Sequence, residues 1–328
     1  TKRRGVPGPD PAVAAVRLGV RRALAPHRAR RVVVACSGGA DSTALAAAVA
    51  FEAPKLDVDP VVVIVDHGLQ DDSAQVAAQA ADRLRRLGLD TRIERVAVGA
   101  DGGVEAAARE ARYARLREVA ARIGAAAILL GHTRDDQAET VLLGLVRGSG
   151  TRSLAGMAPV AGDLVRPLLE VTRAQTRAAC AAEGHEFWDD PHNDDPRFLR
   201  VRVRRALAHL ETDLGPGLVV GLARTADLAR QDADHLDAEA EAARTRLGSA
   251  PWPVDTLVDL PVAVRTRWWR RALTDAGATV ADLSSTHVRW LEALLTDWTG
   301  QGPLDVPGGL RVGRADGLVH VRRSRRVE

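Results

Sequence analysis

Arg31-Val32-Val33-Val34-Ala35-Cys36-Ser37-Gly38-Gly39-Ala40-Asp41-Ser42 decides the fold. The first half is β-branched and apolar without alternation, the pattern of a strand buried on both faces. The second half holds two glycines, which let the backbone turn tightly and approach a ligand without Cβ interference. Ser42 to Phe51 then reads as a helix, so the stretch is strand, tight loop, helix. Backbone N–H groups in such a loop, with a helix N-terminus behind them, form an anion site. Ser37 and Ser42 add hydroxyl donors, and Asp41 is placed to hold magnesium on phosphates. No Gly-Lys-Ser/Thr follows, and the G-x-G-x-x-G spacing of dinucleotide folds is missing. A plain strand–helix turn needs a glycine pair or a cap, not Ser37, Gly38, Gly39, Asp41 and Ser42 in order.

Outward from this stretch the same alternation repeats. Pro60 to Asp66, Thr91 to Val96 and Ala126 to Leu130 read as further strands. Between and after them, 72–87, 104–123 and 135–146 have helical spacing, with Val76, Ala80, Leu84 and Leu87 on one face of the first. Continuous apolar strands separated by helices imply α/β architecture, a doubly wound, Rossmann-like parallel sheet. Past Gly150 the pattern loosens: 164–169 reads as a strand, 172–183 as a helix capped by Thr172, and 199–210 as another helix. A long proline-free helical pattern covers 217–247 and ends at Ala250-Pro251-Trp252-Pro253. Helices at 262–275 and 284–295 and glycine-punctuated hairpins through Val321 complete a smaller α+β C-terminal domain. The expected division is a catalytic domain over 1–215, a helical connector over 216–250 and a C-terminal domain over 251–328.

Composition narrows the function classes. The 328 residues are 46% hydrophobic and 27% charged, which fits a folded globular protein. Apolar runs such as Val61 to Val65 are far short of the roughly 20 residues a bilayer span needs. Thr1-Lys2-Arg3-Arg4 has no apolar stretch behind it, so no signal peptide is expected and the expected compartment is the cytoplasm. Cys36 and Cys180 are too few for a disulfide framework or a four-thiolate metal site and are expected in the core. Lys+Arg 46 against Asp+Glu 43 gives a net charge of +3, too mild to identify a nucleic-acid binder. Distribution says more. Arg197, Arg200, Arg202, Arg204 and Arg205 cluster tightly and suit RNA phosphates, although Leu199, Val201, Val203 and Leu207 equally mark a helix with a wet arginine side. Arg322, Arg323, Arg325 and Arg326 read as a frayed end. Trp268, Trp269, Trp290 and Trp298 could stack on bases, but their helical spacing favours core positions.

Three more motifs stand out, two of them where strands end. Asp66-His67-Gly68-Leu69 follows the second strand, at the edge where open α/β sheets bind ligands. In the helix from Glu105, Arg109 and Arg112 share a face beside Tyr113 and could neutralise phosphate, or simply form a solvated face. Gly131-His132-Thr133-Arg134-Asp135-Asp136-Gln137-Ala138-Glu139-Thr140 follows the fourth strand and opens a helix. One acidic residue would satisfy a helix N-terminus; a histidine with two carboxylates suits metal binding or proton transfer. A glycine-rich loop from Arg147 to Met157 and then Arg166-Pro167-Leu168-Leu169 come next.

The Ser37–Ser42 loop resembles the S-G-G-x-D-S loop of the PP-loop family, which binds the pyrophosphate part of ATP and breaks ATP between its α- and β-phosphates. The full succession is similar to the tRNA(Ile)-lysidine synthetase branch of that family. It comprises the loop, V-D-H-G-L, Ala108-Arg109 to Tyr113, the Gly131–Thr140 motif, Arg147-Gly148-Ser149-Gly150, Arg166 to Leu169, Trp188 to Asn193, and Arg200 to Arg204. The likeness covers residues 31 to about 235; over 250–328 it is architectural. Thr133, Val201 and Ser153 depart from the usual histidine, asparagine and glycine.

The resemblance implies adenylation of the wobble cytidine C2 oxygen in a CAU anticodon, followed by attack of free L-lysine. It implies ATP and Mg2+ as cofactors and tRNA(Ile) and free L-lysine as partners; a second copy of the chain is a homodimer candidate, and the short apolar runs lead to no membrane being expected. Ser37, Gly38, Gly39, Ala40, Asp41 and Ser42, with Asp66 and His67, would bind the nucleotide. Asp41 and Asp136 would hold magnesium, and His132 and Asp135 would stand near the cytidine or the amine. Arg109 and Arg112 would offset charge, and Arg166, Asn193, Arg200, Arg202 and Arg204 would meet the tRNA. The C-terminal domain would engage the tRNA body. Rival readings are a thiolating or ammonia-transferring PP-loop enzyme and an ATP-binding module without catalysis. The two cysteines lack C-x-x-C spacing, and mere binding does not need Asp135 with Asp136.

Overall fold

The computed structural model describes residues 8–68, 72–96, 104–148, 150–190, 195–279 and 282–324. It divides into two compact units, Thr1–Ala229 and Arg230–Glu328. In the first, α1 (Pro11–Leu24) precedes the first strand and is an element beyond those expected from the sequence. The signal for it was present: the Asp10 carboxylate accepts the Ala12 N–H at 2.8 Å, Pro11 starts the helix, and Val13, Val16, Val20 and Leu24 fill one buried stripe. Next come β1 (Arg31–Cys36), α2 (Ala40–Glu52), β2 (Asp59–Asp66), α3 (Ser73–Arg86), β3 (Asp90–Arg95) and α4 (Val104–Ile123). They are followed by β4 (Ile128–Leu129), α5 (Arg134–Val146), α6 (Gly150–Leu154), β5 (Val160–Ala161), β6 (Leu164–Val165), α7 (Arg173–Ala182) and α8 (Leu199–Leu214).

The sheet order is β3-β2-β1-β4-β6-β5, all parallel except β5 against β6. Side chains of β1 alternate between two cores. Val32, Val34 and Cys36 join Leu45 and Val49 of α2 with residues of α1 and α7, whereas Val33 packs with Leu116, Val119 and Ala120 of α4. Helices on both faces explain why the strand has no polar side. Two strands are shorter than their apolar runs, β4 keeping only Ile128–Leu129 and β6 only Leu164–Val165. Pro167 lacks an N–H for a ladder, and the chain turns there instead. Strand order reverses between β1 and β4, so the loops after these strands flank the switch point where such sheets bind ligands.

α9 (Leu218–Leu247) spans the division between the units. In the second unit, β7 (Trp252–Pro253), α10 (Val254–Val258), α11 (Val262–Asp275), α12 (Ser285–Thr296), β8 (Leu304–Val306), β9 (Leu310–Ala315) and β10 (Leu318–Arg323) form an α+β fold. Its antiparallel sheet has the order β7-β10-β9-β8. Trp252, Trp268 and Trp269 are buried edge to face, with centroids 4.8 Å apart for the first two and 4.9 Å for the last two. Trp290 and Trp298 are exposed, so of the four tryptophans whose spacing favours core positions only Trp268 and Trp269 hold them. Arg322 and Arg323 pair within β10 rather than fraying; Arg325 and Arg326 lie outside the described residues. Cys36 and Cys180 are buried and free. No described helix is long and apolar enough to cross a membrane.

Candidate active site

The loop after β1 is shaped by its own atoms. Gly38 has φ +84°, and a Cβ there would lie 3.2 Å from the Ala80 Cβ, so glycine is required on both counts. Ser42 Oγ donates to the Gly39 carbonyl at 3.0 Å and accepts the Ser37 N–H at 3.2 Å. The Ser42 hydroxyl is therefore spent on holding the loop closed. Gly39 caps α2 without a side-chain hydrogen bond, which leaves the first N–H groups of the helix for an anion. From outside, the Trp188 N–H donates to the Gly38 carbonyl at 2.9 Å, docking the 188–190 segment on the loop. Arg177 holds that segment through both oxygens of Asp189, at 2.8 and 2.9 Å. Gly131, after β4, comes so close that a Cβ would sit 3.2 Å from the Ser42 N and Cα.

Around the start of α5 the carboxylates gather on one cation. Thr133 and Asp136 form a capping box, with Asp136 Oδ2 accepting the Thr133 N–H at 2.8 Å and the hydroxyl at 2.9 Å. Arg173, the first residue of α7, donates through Nη2 to Asp136 Oδ1 at 2.9 Å and Glu139 Oε1 at 3.3 Å. Its Nε lies 3.7 Å from Asp41 Oδ2, and its backbone N–H donates to Asp135 at 2.8 Å. Asp41 also accepts the Thr176 hydroxyl. The two residues expected to share magnesium, Asp41 and Asp136, are thus brought together. Burial is the main force raising the Asp41 pKa; the Thr176 hydrogen bond opposes it and the Asp136 charge adds to it. Burial also works against the Asp136 charge, but Arg173 and Thr133 outweigh it and hold that carboxyl below its usual range. Arg173 is raised because Asp136, Glu139, Asp41 and Asp135 overcome its own desolvation.

Facing this acidic group is a basic one. Burial, aided by Arg200, Arg112 and Arg166 against the pull of Tyr113, lowers the Arg109 pKa, so these arginines share one field. Arg166, just beyond β6, is buried and donates to the Ala158 carbonyl at 2.7 Å. Burial takes the His132 pKa down to about 3; Asp136 opposes the shift, while Arg166, Arg109 and Arg112 add to it. At neutral pH His132 is an uncharged imidazole. His67 is lowered in the same way, by burial and then Arg112. Among the described residues, buried His132 Nδ1, His67 Nδ1, Arg112 Nε, Arg166 Nε and Glu139 Oε2 have no hydrogen-bond partner. Buried polar atoms are rarely left so, and this many around one site mark a place built for a polar ligand. Asp66 is otherwise engaged: its oxygens accept the Gly68 N–H at 3.0 Å and Arg95 at 3.3 Å, which shapes the turn carrying His67.

The arginines of α8 divide. Arg204 donates to Glu139 at 3.0 Å, and Arg200 shares the field of Arg109, so positions four apart face the site. Arg202 is exposed and donates to the Pro196 and Arg197 carbonyls. Val201, Val203 and Leu207 are buried. Asn193 lies outside the described residues. Arg173, Thr176 and Glu139 were not singled out from the sequence. The available clue was Arg173 itself, a cation placed directly after the Thr172 cap, where a helix dipole disfavours it unless acids lie opposite.

Among the described residues no cluster of three or more His, Cys, Asp or Glu could hold a metal ion alone. Asp41 and Asp136 nevertheless suit magnesium, which takes one or two carboxylates and completes its shell with phosphate oxygens and water.

A sequence-family profile described as a PP-loop domain matches residues 14–211. The chain is 52% identical to the tRNA(Ile)-lysidine synthase of Thermobifida fusca, covering 96% of this chain and 98% of that one. It is 49% identical to the tRNA(Ile)-lysidine synthase of Streptomyces coelicolor, covering 97% and 100%. A solved structure, the U34-tRNA thiolase NcsA from Methanococcus maripaludis, shares the fold with a TM-score of 0.57 at 16% identity, over 67% of this chain and 80% of that one. With its loop at the switch point and identity sustained over almost its whole length, the chain belongs to the tRNA(Ile)-lysidine synthase family of PP-loop proteins.

Proposed function

We propose that the protein is a ligase that adenylates the wobble cytidine of the CAU anticodon of tRNA(Ile) on its C2 oxygen and joins free L-lysine to it. A base carbonyl oxygen is a poor leaving group. Attack of that oxygen on the α-phosphorus of ATP breaks the bond to the β-phosphate and releases pyrophosphate. The lysine amine then attacks C2, loses a proton and expels AMP, leaving lysidine. The observation that carries this reading is the meeting of Asp41, from the phosphate loop, with Asp136 and Glu139, from the second motif, on one guanidinium.

In this reading Ser37, Gly38, Gly39 and the first N–H groups of α2 receive the pyrophosphate oxygens, while Ser42 keeps the loop in shape. Asp41 and Asp136 would hold magnesium, which when bound neutralises phosphate charge. His132 offers a hydrogen bond without adding charge, beside Arg109, Arg112, Arg166 and Arg200, which offset the adenylate and anticodon phosphates. Burial lowers the proton affinity of Arg109 and Arg166, so an incoming anion is favourable beside them. Asp135 tethers α7 rather than meeting substrate. His67 borders the nucleotide, and Asp66 shapes its turn. Arg202, exposed on α8, meets the tRNA, Asn193 is assigned to it from the sequence motif alone, and the C-terminal domain over 251–328 holds its body. A second copy of the chain is the remaining partner, and the cytoplasm is where the reaction runs. Thiolation is not favoured, because both cysteines are buried and the Cys180 thiol is pushed up to about 12, mainly by burial.

The test is incubation of the protein with tRNA, ATP, magnesium and one labelled amino acid at a time. Label should enter RNA from lysine alone, with pyrophosphate released in step. Transfer from another donor, or none, would overturn the reading.

A further inference from the structure

Arg173 meets four carboxylates of the site, Asp41, Asp135, Asp136 and Glu139. It enters from α7, outside both motifs that define the centre, and the functional reading gives it no role of its own. Its side chain contacts Asp136 at 2.9 Å and Glu139 at 3.3 Å on α5, and approaches Asp41 on α2 at 3.7 Å. Glu139 is almost wholly buried and takes a second cation, Arg204, on the same Oε1, which leaves Oε2 without a partner. The base of Arg173 is fixed as well: its N–H is held by Asp135, and Thr172 and Gln175 close the turn as a capping box. A planar guanidinium anchored at its root holds several carboxylates at fixed relative positions, which a flexible ammonium does less well.

We propose that Arg173 is a positioning residue for this reaction: its guanidinium ties Asp136 and Glu139 of α5 to Asp41 of α2 and so sets where the carboxylates stand when the nucleotide and the amine arrive. The inference rests on the functional reading above and adds a residue that acts through the carboxylates it holds. Removing the tie frees α2 and α5 side chains to separate, and misplacements on the order of 1 Å in such sites cost about 100-fold in rate.

The experiment compares wild type, Arg173→Met and Arg173→Lys in steady-state pyrophosphate release with saturating ATP, magnesium and lysine and varied tRNA. Circular dichroism and thermal melting are followed on the same samples. Arg173→Met should lose about 100-fold in kcat while its KM for tRNA moves less than about threefold, because the tie does not touch RNA. Arg173→Lys keeps the charge and loses the fork, so its kcat should fall between the other two. Should Arg173→Met not fold, a lowered kcat with an unmoved KM in Arg173→Lys carries the same conclusion. Either folded variant within twofold of wild-type kcat overturns the proposal. So does a rise in KM for tRNA that tracks lost melting temperature, which marks general loosening. Wild-type protein that releases no pyrophosphate with tRNA and lysine would instead end the functional reading itself.

Discussion

The Asp135 carboxylate accepts the backbone N–H of Arg173 at 2.8 Å, so an acid in the first turn of α5 closes the N-terminus of α7. That N–H has no partner within its own helix, and a negative charge beside it also favours the α7 dipole. Asp135→Asn keeps an acceptor and loses the charge; it should cost at most about 1 kcal/mol and leave most activity in place. Asp135→Ala leaves the donor unpaired and should cost about 1–2 kcal/mol, with a larger loss of activity as Arg173 shifts. Urea unfolding and pyrophosphate release measure both. An asparagine variant as inactive as the alanine one would place the Asp135 charge at the reacting atoms.

Gly131 is the point where the loop after β4 meets the loop after β1. A Cβ there would lie 3.2 Å from Ser42 N and Cα and 3.3 Å from the Asp41 carbonyl carbon, all backbone atoms that cannot swing aside. Gly131→Ala should therefore cost about 1–3 kcal/mol as overpacking and push the phosphate loop off its position. The expected result is a raised KM for ATP with a lowered melting temperature. Unchanged ATP affinity would mean that the two loops move independently.

How far the sequence revealed this site depends on where each residue's partners lie. The phosphate loop, the two-faced β1 and the Gly131–Thr140 helix start were readable because strand burial, glycine pairs and caps are local patterns. Asp41 and Asp136 were singled out for the same reason. Arg173 was not, because its role exists only where α2, α5 and α7 converge, and its neighbours in sequence do not show that. Asp135 and Ser42 read from the sequence as ligand groups; the bonds of Asp135 to the start of α7 and of Ser42 to Ser37 and Gly39 in its own loop are not encoded in a local pattern. α1 is legible in its Asp-Pro start and its apolar stripe at Val13, Val16, Val20 and Leu24, and is a helix that the alternation after residue 31 does not announce. β6 stops short of Pro167, whose missing N–H cannot join a ladder, a constraint that an apolar run does not encode.

Gln137 fastens the glycine-rich loop to α5. Its Nε2 donates to the Met157 carbonyl at 3.0 Å and its Oε1 accepts the Met157 N–H at 2.7 Å, both buried. Gly156 lies against the same amide with φ +55°, leaving no room for a larger residue. Gln137→Leu keeps the bulk but orphans a donor and an acceptor of the backbone, so the expected loss is about 2–4 kcal/mol. Limited proteolysis should show faster cleavage within 147–157 than in wild type. Equal cleavage at equal stability would mean that the loop is held elsewhere.

His132 predicts a pH dependence whose sign follows from its environment. In the folded protein burial lowers its pKa to about 3, against 6.5 for a free histidine. Between those values the unfolded chain binds a proton that the folded chain refuses, so stability rises with pH through this window and is complete above it. Acidification from about pH 6 to pH 4 should therefore lower the wild-type melting temperature more steeply than that of His132→Asn, whose amide has no charge to gain. His67 and His27, also lowered, contribute equally to both proteins and cancel in the comparison. Above about pH 6.5 the two curves should run parallel, because the imidazole is already neutral there. Parallel curves down to pH 4 would show that His132 takes up a proton in the folded state, as an imidazolium among Arg109, Arg112 and Arg166, and the uncharged hydrogen-bonding role assigned to it would have to be abandoned.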